Sequence, residues 1–166
     1  MSRGRTLAAV LAAILSACAV PVDLDAVPVA KASCEEPTRD LLLPDARMLP
    51  GRICQQCHTR GGQGYRFKWT ASGTVFVDPR VPCNTGGLEG VTVEIFDTNG
   101  QLQVALVTNE VGNFFTDIPI AFPIRARIRR DGIVREMRTP ALQGSCASCH
   151  QKEPKNGAPG PIALHP

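Results

Sequence analysis

Val91-Thr92-Val93-Glu94-Ile95-Phe96, then Asp97-Thr98-Asn99-Gly100, then Leu102-Gln103-Val104-Ala105-Leu106-Val107 reads as two strands and the turn between them. Val91, Val93 and Ile95 alternate with Thr92, Glu94 and Phe96, the period of a strand with one face turned inward. Asp-Thr-Asn-Gly supplies the turn residues that a hairpin needs. The same period extends outward in both directions. Upstream lie Phe67-Lys68-Trp69-Thr70 and Thr74-Val75-Phe76-Val77, separated by Gly73, where a bulge is expected. Downstream, Phe114-Phe115 follows Gly112-Asn113, and Ile124, Ala126 and Ile128 alternate with Arg125, Arg127 and Arg129. The turn Arg130-Asp131-Gly132 then leads into Ile133 to Met137. About six short strands at this spacing predict a mainly β fold, an antiparallel sandwich over residues 67–140.

Composition agrees with a packed domain. The 166 residues are enough for one ordinary domain, and 43% hydrophobic with 20% charged residues is a globular balance. Aromatics are only 5%, so the core must be built from Val, Ile and Leu. The net charge of +3 falls to +1 without Arg3 and Arg5 (16 basic against 15 acidic residues), which gives no footprint for nucleic acid.

The order of Ser72-Gly73-Thr74-Val75, Gly90 to Ile95 and Thr108-Asn109-Glu110-Val111-Gly112-Asn113-Phe114 resembles carboxypeptidase regulatory-like (prealbumin-like) domains. That resemblance implies an Ig/prealbumin-like sandwich over roughly residues 67–140, and no peptidase site. The proline-glycine step usual before the closing strands is reduced here to Ile118-Pro119. A fold of this kind does not fix an activity.

Two short stretches outside the strands carry the chemistry. Cys54-Gln55-Gln56-Cys57-His58 and Cys146-Ala147-Ser148-Cys149-His150 each read C-x-x-C-H. In this pairing the chain resembles multihaem c-type cytochromes, which attach haem through that pattern. The resemblance implies two haem c groups. Cys54 and Cys57, and Cys146 and Cys149, would form thioethers, with His58 and His150 as proximal axial ligands. Four axial positions would then draw on three histidines, so His165, Met48 and Met137 are the candidate distal ligands. One iron could be His/His through His165 and the other His/Met, or one could keep an open position. A thioether ligand raises the potential relative to imidazole. Gly61-Gly62-Gln63-Gly64, directly after the first motif, reads as a flexible loop able to pass close to a haem edge.

The N-terminus reads as an export signal. Ser2-Arg3-Gly4-Arg5 is a positive n-region, and Leu7 to Leu15 is too short to span a bilayer as a mature helix. Leu15-Ser16-Ala17-Cys18 resembles the lipobox of bacterial lipoproteins, which implies cleavage after residue 17, acylation of Cys18 and a membrane anchor in the cell envelope. The alternative is an ordinary signal peptide with an incidental Cys18. Residues 18–50 read as a tether broken by Pro21, Pro28, Pro37, Pro44 and Pro50, with a short helix open over Arg39 to Leu49. In an oxidising compartment the two remaining cysteines, Cys34 and Cys83, are expected to pair. Such a bridge closes a loop of about fifty residues, worth about 4 kcal/mol by the chain-entropy model. Residues 51–66 form the first motif segment and 141–166 the second motif with a Pro/Gly-rich tail, a composition that ordinarily leaves a terminus disordered.

Three function classes follow. One is an electron-transfer dihaem lipoprotein passing electrons between redox proteins of the envelope, not an enzyme in its own right. The second is a non-redox β-sandwich lipoprotein in which Cys54, Cys57, Cys146 and Cys149 clamp one zinc ion. The third is a thiol-disulfide oxidoreductase, for which no βαβ pattern is present. The histidine after each second cysteine favours the first, since an all-cysteine zinc site has no use for it. The arginines from Arg125 to Arg138 read either as a docking face for an acidic partner, as partners for haem propionates, or as the solvated face of a sheet. Trp69 and the phenylalanines read as core or haem packing.

Overall fold

The computed structural model describes residues 45–80 and 86–164. It is mainly β, with two antiparallel-rich sheets and almost no helix. The strands are β1 (Ala71–Phe76), β2 (Thr92–Phe96), β3 (Leu102–Val107), β4 (Asn113–Thr116), β5 (Arg125–Arg130), β6 (Ile133–Glu136), β7 (Gly144–Ser145) and β8 (Ile162–Ala163). Among the described residues no helix is long and apolar enough to cross a membrane.

The hairpin of β2 and β3 is where the alternation puts it. Asp97 closes the turn with its side chain, Oδ1 accepting from Asn99 N and Gln101 N at 2.8 Å each. Gly100 takes φ +80°, a backbone conformation open to glycine at no steric cost. On its other edge β2 pairs antiparallel with β5, and β5 with β6, giving the order β3-β2-β5-β6.

The other sheet is centred on β1. β4 pairs with it antiparallel, and β7 and β8 pair with it in parallel, one after the other along the opposite edge. The sheet therefore extends beyond residue 140 and is not purely antiparallel. Two-residue strands leave no readable period in sequence, which is why β7 and β8 were invisible there. The register of β1 on β4 runs unbroken from Ala71↔Thr116 to Thr74↔Asn113, so Gly73 marks no bulge. Its lack of a side chain serves packing instead: a Cβ there would lie 2.7 Å from Phe114 Cζ. Phe67 to Thr70 precedes β1 and forms no strand, reaching β4 through Thr70 N to Thr116 O at 2.8 Å.

The core lies between the sheets. Val75 of β1 and Phe114 of β4 pack with Val91, Val93, Ile128 and Leu164. A second cluster joins Ala71, Ile95, Val104 and Ile124. These are inward positions of the strands, with Val91, Ile124 and Leu164 just beyond the strand ends, and their burial is the main stabilising term. β1 is buried along its whole length, which one face against a core does not explain. Its outward residues, Ser72 and Thr74, are covered by the segment that carries the first C-x-x-C-H.

The tail is paired with the sheet as far as Leu164. Val75↔Ile162 and Phe76↔Ala163 fix it to β1, Arg135 Nε donates to Leu164 O at 2.5 Å, and Leu164 is 2% exposed. Apolar burial of Leu164 and strand pairing overcome the Pro/Gly composition that predicted disorder.

Candidate functional site

The two C-x-x-C-H stretches fold into the same local shape. Cys54–Gln56 and Cys146–Ser148 are each one 3-10 turn. Cys57 closes the first at φ −104°, ψ −39° and Cys149 the second at φ −109°, ψ −40°. Cys57 N and His58 N both bond to Cys54 O, at 3.1 and 2.8 Å, and Cys149 N and His150 N bond to Cys146 O at 3.2 and 3.0 Å. The carbonyl of the second cysteine is then taken by a returning loop, from Gly64 N at 2.9 Å and from Lys155 N at 3.0 Å. Each first thiol also points back to the carbonyl two residues earlier, Cys54 Sγ to Arg52 O at 3.7 Å and Cys146 Sγ to Gly144 O at 3.6 Å.

The histidines are held alike. His58 Nδ1 lies 2.8 Å from Phe67 O, and His150 Nδ1 lies 2.8 Å from Gly160 O. A carbonyl oxygen can only accept, so Nδ1 is the protonated nitrogen in both rings, and Nε2 keeps its lone pair for a ligand role. Gly64 makes room for the first ring, because a Cβ there would sit 2.8 Å from His58 Nδ1. Gly62 similarly lies against the Cys57 carbonyl. The glycine-rich loop is thus a hydrogen-bonded wrap around His58 and Cys57. Trp69 stands 5.1 Å from the His58 ring and 4.6 Å from Phe115, centroid to centroid, so it walls the first motif and does not fill the inter-sheet core.

β1 positions both motifs. Ser72 Oγ donates to Gln55 Oε1 at 2.9 Å, and Gly51 N donates to Thr74 Oγ1 at 2.8 Å. The second motif is an excursion between β7 and β8, anchored on Ala71↔Gly144 and Ser72↔Ser145 at one end and Val75↔Ile162 at the other. Gln55 Nε2 and Ser145 Oγ are buried without a partner, both beside Ser72.

Burial raises the pKa of Cys54, against a smaller lowering by its hydrogen bond with Ser72. Burial pushes Cys146 up to about 12, with the Cys54 and Cys149 charges adding to the rise. A disulfide-exchanging C-x-x-C needs its attacking thiol shifted the other way. Among the described residues no three His, Cys, Asp or Glu side chains gather within reach of one metal ion.

Met48 lies just before the first motif, with its carbonyl accepting from Asn113 Nδ2 at 3.0 Å. Met137 follows β6 in the other sheet, its N–H bonded to Ala126 O at 2.9 Å. His165, Cys18, Cys34 and Cys83 lie outside the described residues. The arginines are largely engaged. Glu94 accepts from Arg127 Nε at 2.7 Å and Arg129 Nε at 3.1 Å, and Arg125 donates to Arg138 O at 2.5 Å. Arg127 also covers Phe96, 4.8 Å from its ring centroid, beside a cavity of about 410 Å³ at the Asp97–Gly100 turn.

The sequence marked the cysteines and histidines. It did not mark Ser72, Gln55, Ser145 or the Phe67 and Gly160 carbonyls. The Gly61-Gly62-Gln63-Gly64 run was the readable signal of how closely the loop returns, through Gly62 and Gly64. Comparison with protein-family models, with curated proteins and with solved structures finds no match for this chain.

Proposed function

We propose that this chain is a dihaem c-type cytochrome of the cell envelope, an electron carrier anchored by lipid at Cys18 and working between redox proteins there. The observation that carries this reading is the shared tethering of the two histidines. Each C-x-x-C-H ring has Nδ1 tied to a backbone carbonyl at 2.8 Å, which leaves Nε2 as the nitrogen able to bind iron. Donation of the second ring nitrogen to a carbonyl is the usual way a protein fixes the tautomer and tilt of a metal-binding histidine. A thiol pair without a metal-binding histidine would need no such tether at either site.

In this reading Cys54 and Cys57 hold one haem and Cys146 and Cys149 the other, as thioethers, with His58 and His150 as proximal ligands. Haem c bound there supplies one-electron transfer. The residues of the chain orient the imidazoles, through Phe67 O and Gly160 O, and shield the first site with Trp69 and Phe115. His165, Met48 and Met137 supply the candidate distal ligands. The β-rich body, with the prealbumin-like sandwich as its finer description, is the rigid frame that carries both centres.

Intact mass after denaturation tests the proposal. Protein from a host with haem-attachment machinery should exceed its polypeptide mass by two haems and show the sharp α-band of reduced c-type haem. Wild-type protein should partition with the membrane fraction, and Cys18→Ala should remain unprocessed or lose the lipid mass. A colourless protein holding one zinc ion would refute the cytochrome in favour of the zinc-clamped binding module.

A further inference from the structure

The β3-β2-β5-β6 sheet has a polar cavity on the face turned away from the core. The register pairs Phe96↔Arg125, Glu94↔Arg127 and Arg127↔Glu136 set these side chains on one face, opposite Val93, Ile95 and Ile128. Both motifs pack on β1, in the other sheet. Where the outer face meets the Asp97–Gly100 turn, a cavity of about 410 Å³ opens, lined by the turn together with Phe96, Arg125, Arg127 and Glu136. Its volume is that of a small-molecule cleft.

The lining is held in place without being used up. Arg127 Nε donates to Glu94 Oε2 at 2.7 Å, and its guanidinium carbon sits 4.8 Å from the Phe96 ring centroid. Arg125 Nη1 donates to Met137 O at 3.4 Å and to Arg138 O at 2.5 Å. Asp97 Oδ1 closes the turn. Among the described residues, the two Nη groups of Arg127 and the side chains of Asn99 and Glu136 have no hydrogen-bond partner. Two guanidinia and two carboxylates, Asp97 and Glu136, line the cavity, so it carries no net charge. The carboxylates oppose a free anion and the guanidinia oppose a cation. A neutral molecule with many hydroxyls suits both, because each hydroxyl donates and accepts. Phe96 adds apolar surface for the C–H face of a sugar ring.

From this lining we propose that the cavity binds a neutral saccharide, with Arg125, Arg127, Asn99 and Glu136 as its hydrogen-bonding residues. The site belongs to the β body and stands whether or not the motifs carry haem.

Saturation-transfer NMR on the mature protein tests this, with maltose, cellobiose and diacetylchitobiose as probes. At least one of these disaccharides should receive saturation at its ring protons and titrate to a single site. Asn99→Ala and Glu136→Ala remove side chains without a partner in the fold. Both should leave the urea midpoint unchanged and weaken that binding about tenfold. Inorganic phosphate and glycine, an anion and a zwitterion, should not displace the sugar. No saturation of any of the three disaccharides would overturn the proposal. Equal affinity in the parent and both variants would also overturn it, by putting the sugar elsewhere. Displacement by phosphate or glycine would overturn it in favour of an anion or amino-acid site.

Discussion

Asn113 of β4 holds Met48 in place: its Nδ2 donates to Met48 O at 3.0 Å, while its Oδ1 accepts from Thr74 Oγ1 at 2.8 Å. Thr74 in turn accepts from Gly51 N at 2.8 Å. Through these three bonds the outward side of the β1 sheet fixes the backbone that leads into Cys54. Asn113 is 7% exposed, so removing its amide leaves buried groups unpaired. Asn113→Ala should cost about 1–3 kcal/mol, read as a lower urea midpoint with an unchanged slope. A midpoint equal to that of the parent would show that the sheet does not hold this segment.

Gly64 controls the first histidine. A methyl at 2.8 Å from His58 Nδ1 must push the ring and stretch its bond to Phe67 O. Gly64 is outside the positive-φ region, so the effect of Gly64→Ala is contact and not backbone strain. On the proposed dihaem reading, the expected outcome is a changed ligand-field spectrum at the His58 centre with the His150 centre unaltered. Gly61→Ala is the control: it strains a residue at φ +85° but meets nothing within 4 Å. Equal spectral effects of the two substitutions would mean that the His58 contact is unimportant.

The alternation made β2, β3 and β5 readable, because Val93, Ile95, Val104 and Ile128 fall inward as it requires, and the Asp131-Gly132 turn marked β6, whose residues are mostly exposed. Both motifs were readable because their chemistry needs fixed spacing. Pattern could not give β7 and β8, whose two residues each carry no period, nor the meeting of Ser72 with Gln55 and Ser145. The Gln55 contact depends on the loop before β1 folding back onto it, and the Ser145 contact on the chain returning to β1 after β6. Gly73 was misread for the same reason. A glycine in a strand signals either a bulge or a close neighbour, and the neighbours here are Phe114 and Cys146, distant in sequence.

Glu94 makes stability depend on acid. Its pKa is lowered by the hydrogen bond from Arg127 first, opposed by burial and assisted by Arg129. A depressed folded pKa gives stability that is fully present above the unfolded value of 4.5 and lost as pH falls through the folded value. Glu94→Gln should therefore cost on the order of 1 kcal/mol at neutral pH, less in high salt, and the difference from the parent should shrink below the unfolded pKa. Urea midpoints of both proteins at neutral and acid pH decide this. A gap that persists unchanged in acid would assign the loss to packing and not to charge.

Leu164 tests whether the tail is part of the fold and of the second centre. It is 2% exposed and packs with Val75, Val93 and Phe114, while β8 just before it pairs with β1. The excursion that carries Cys146, Cys149 and His150 is anchored at its end by such contacts, and Gly160, whose carbonyl holds His150, lies two residues before β8. Leu164→Ala removes apolar area and leaves a cavity, at a cost of about 2–5 kcal/mol for a buried leucine. The loss should be read in the thermal or urea midpoint of the whole protein, because the residue belongs to the shared core. Its second consequence is local. With β8 loosened, the His150 ring loses its fixed carbonyl, so on the proposed dihaem reading the second centre should show ligand exchange or partial high-spin character while the first, held by Phe67 O, does not. Stability close to that of the parent would show that the tail is an appendage. A destabilised protein with both centres perturbed equally would show that Leu164 supports the core without positioning His150.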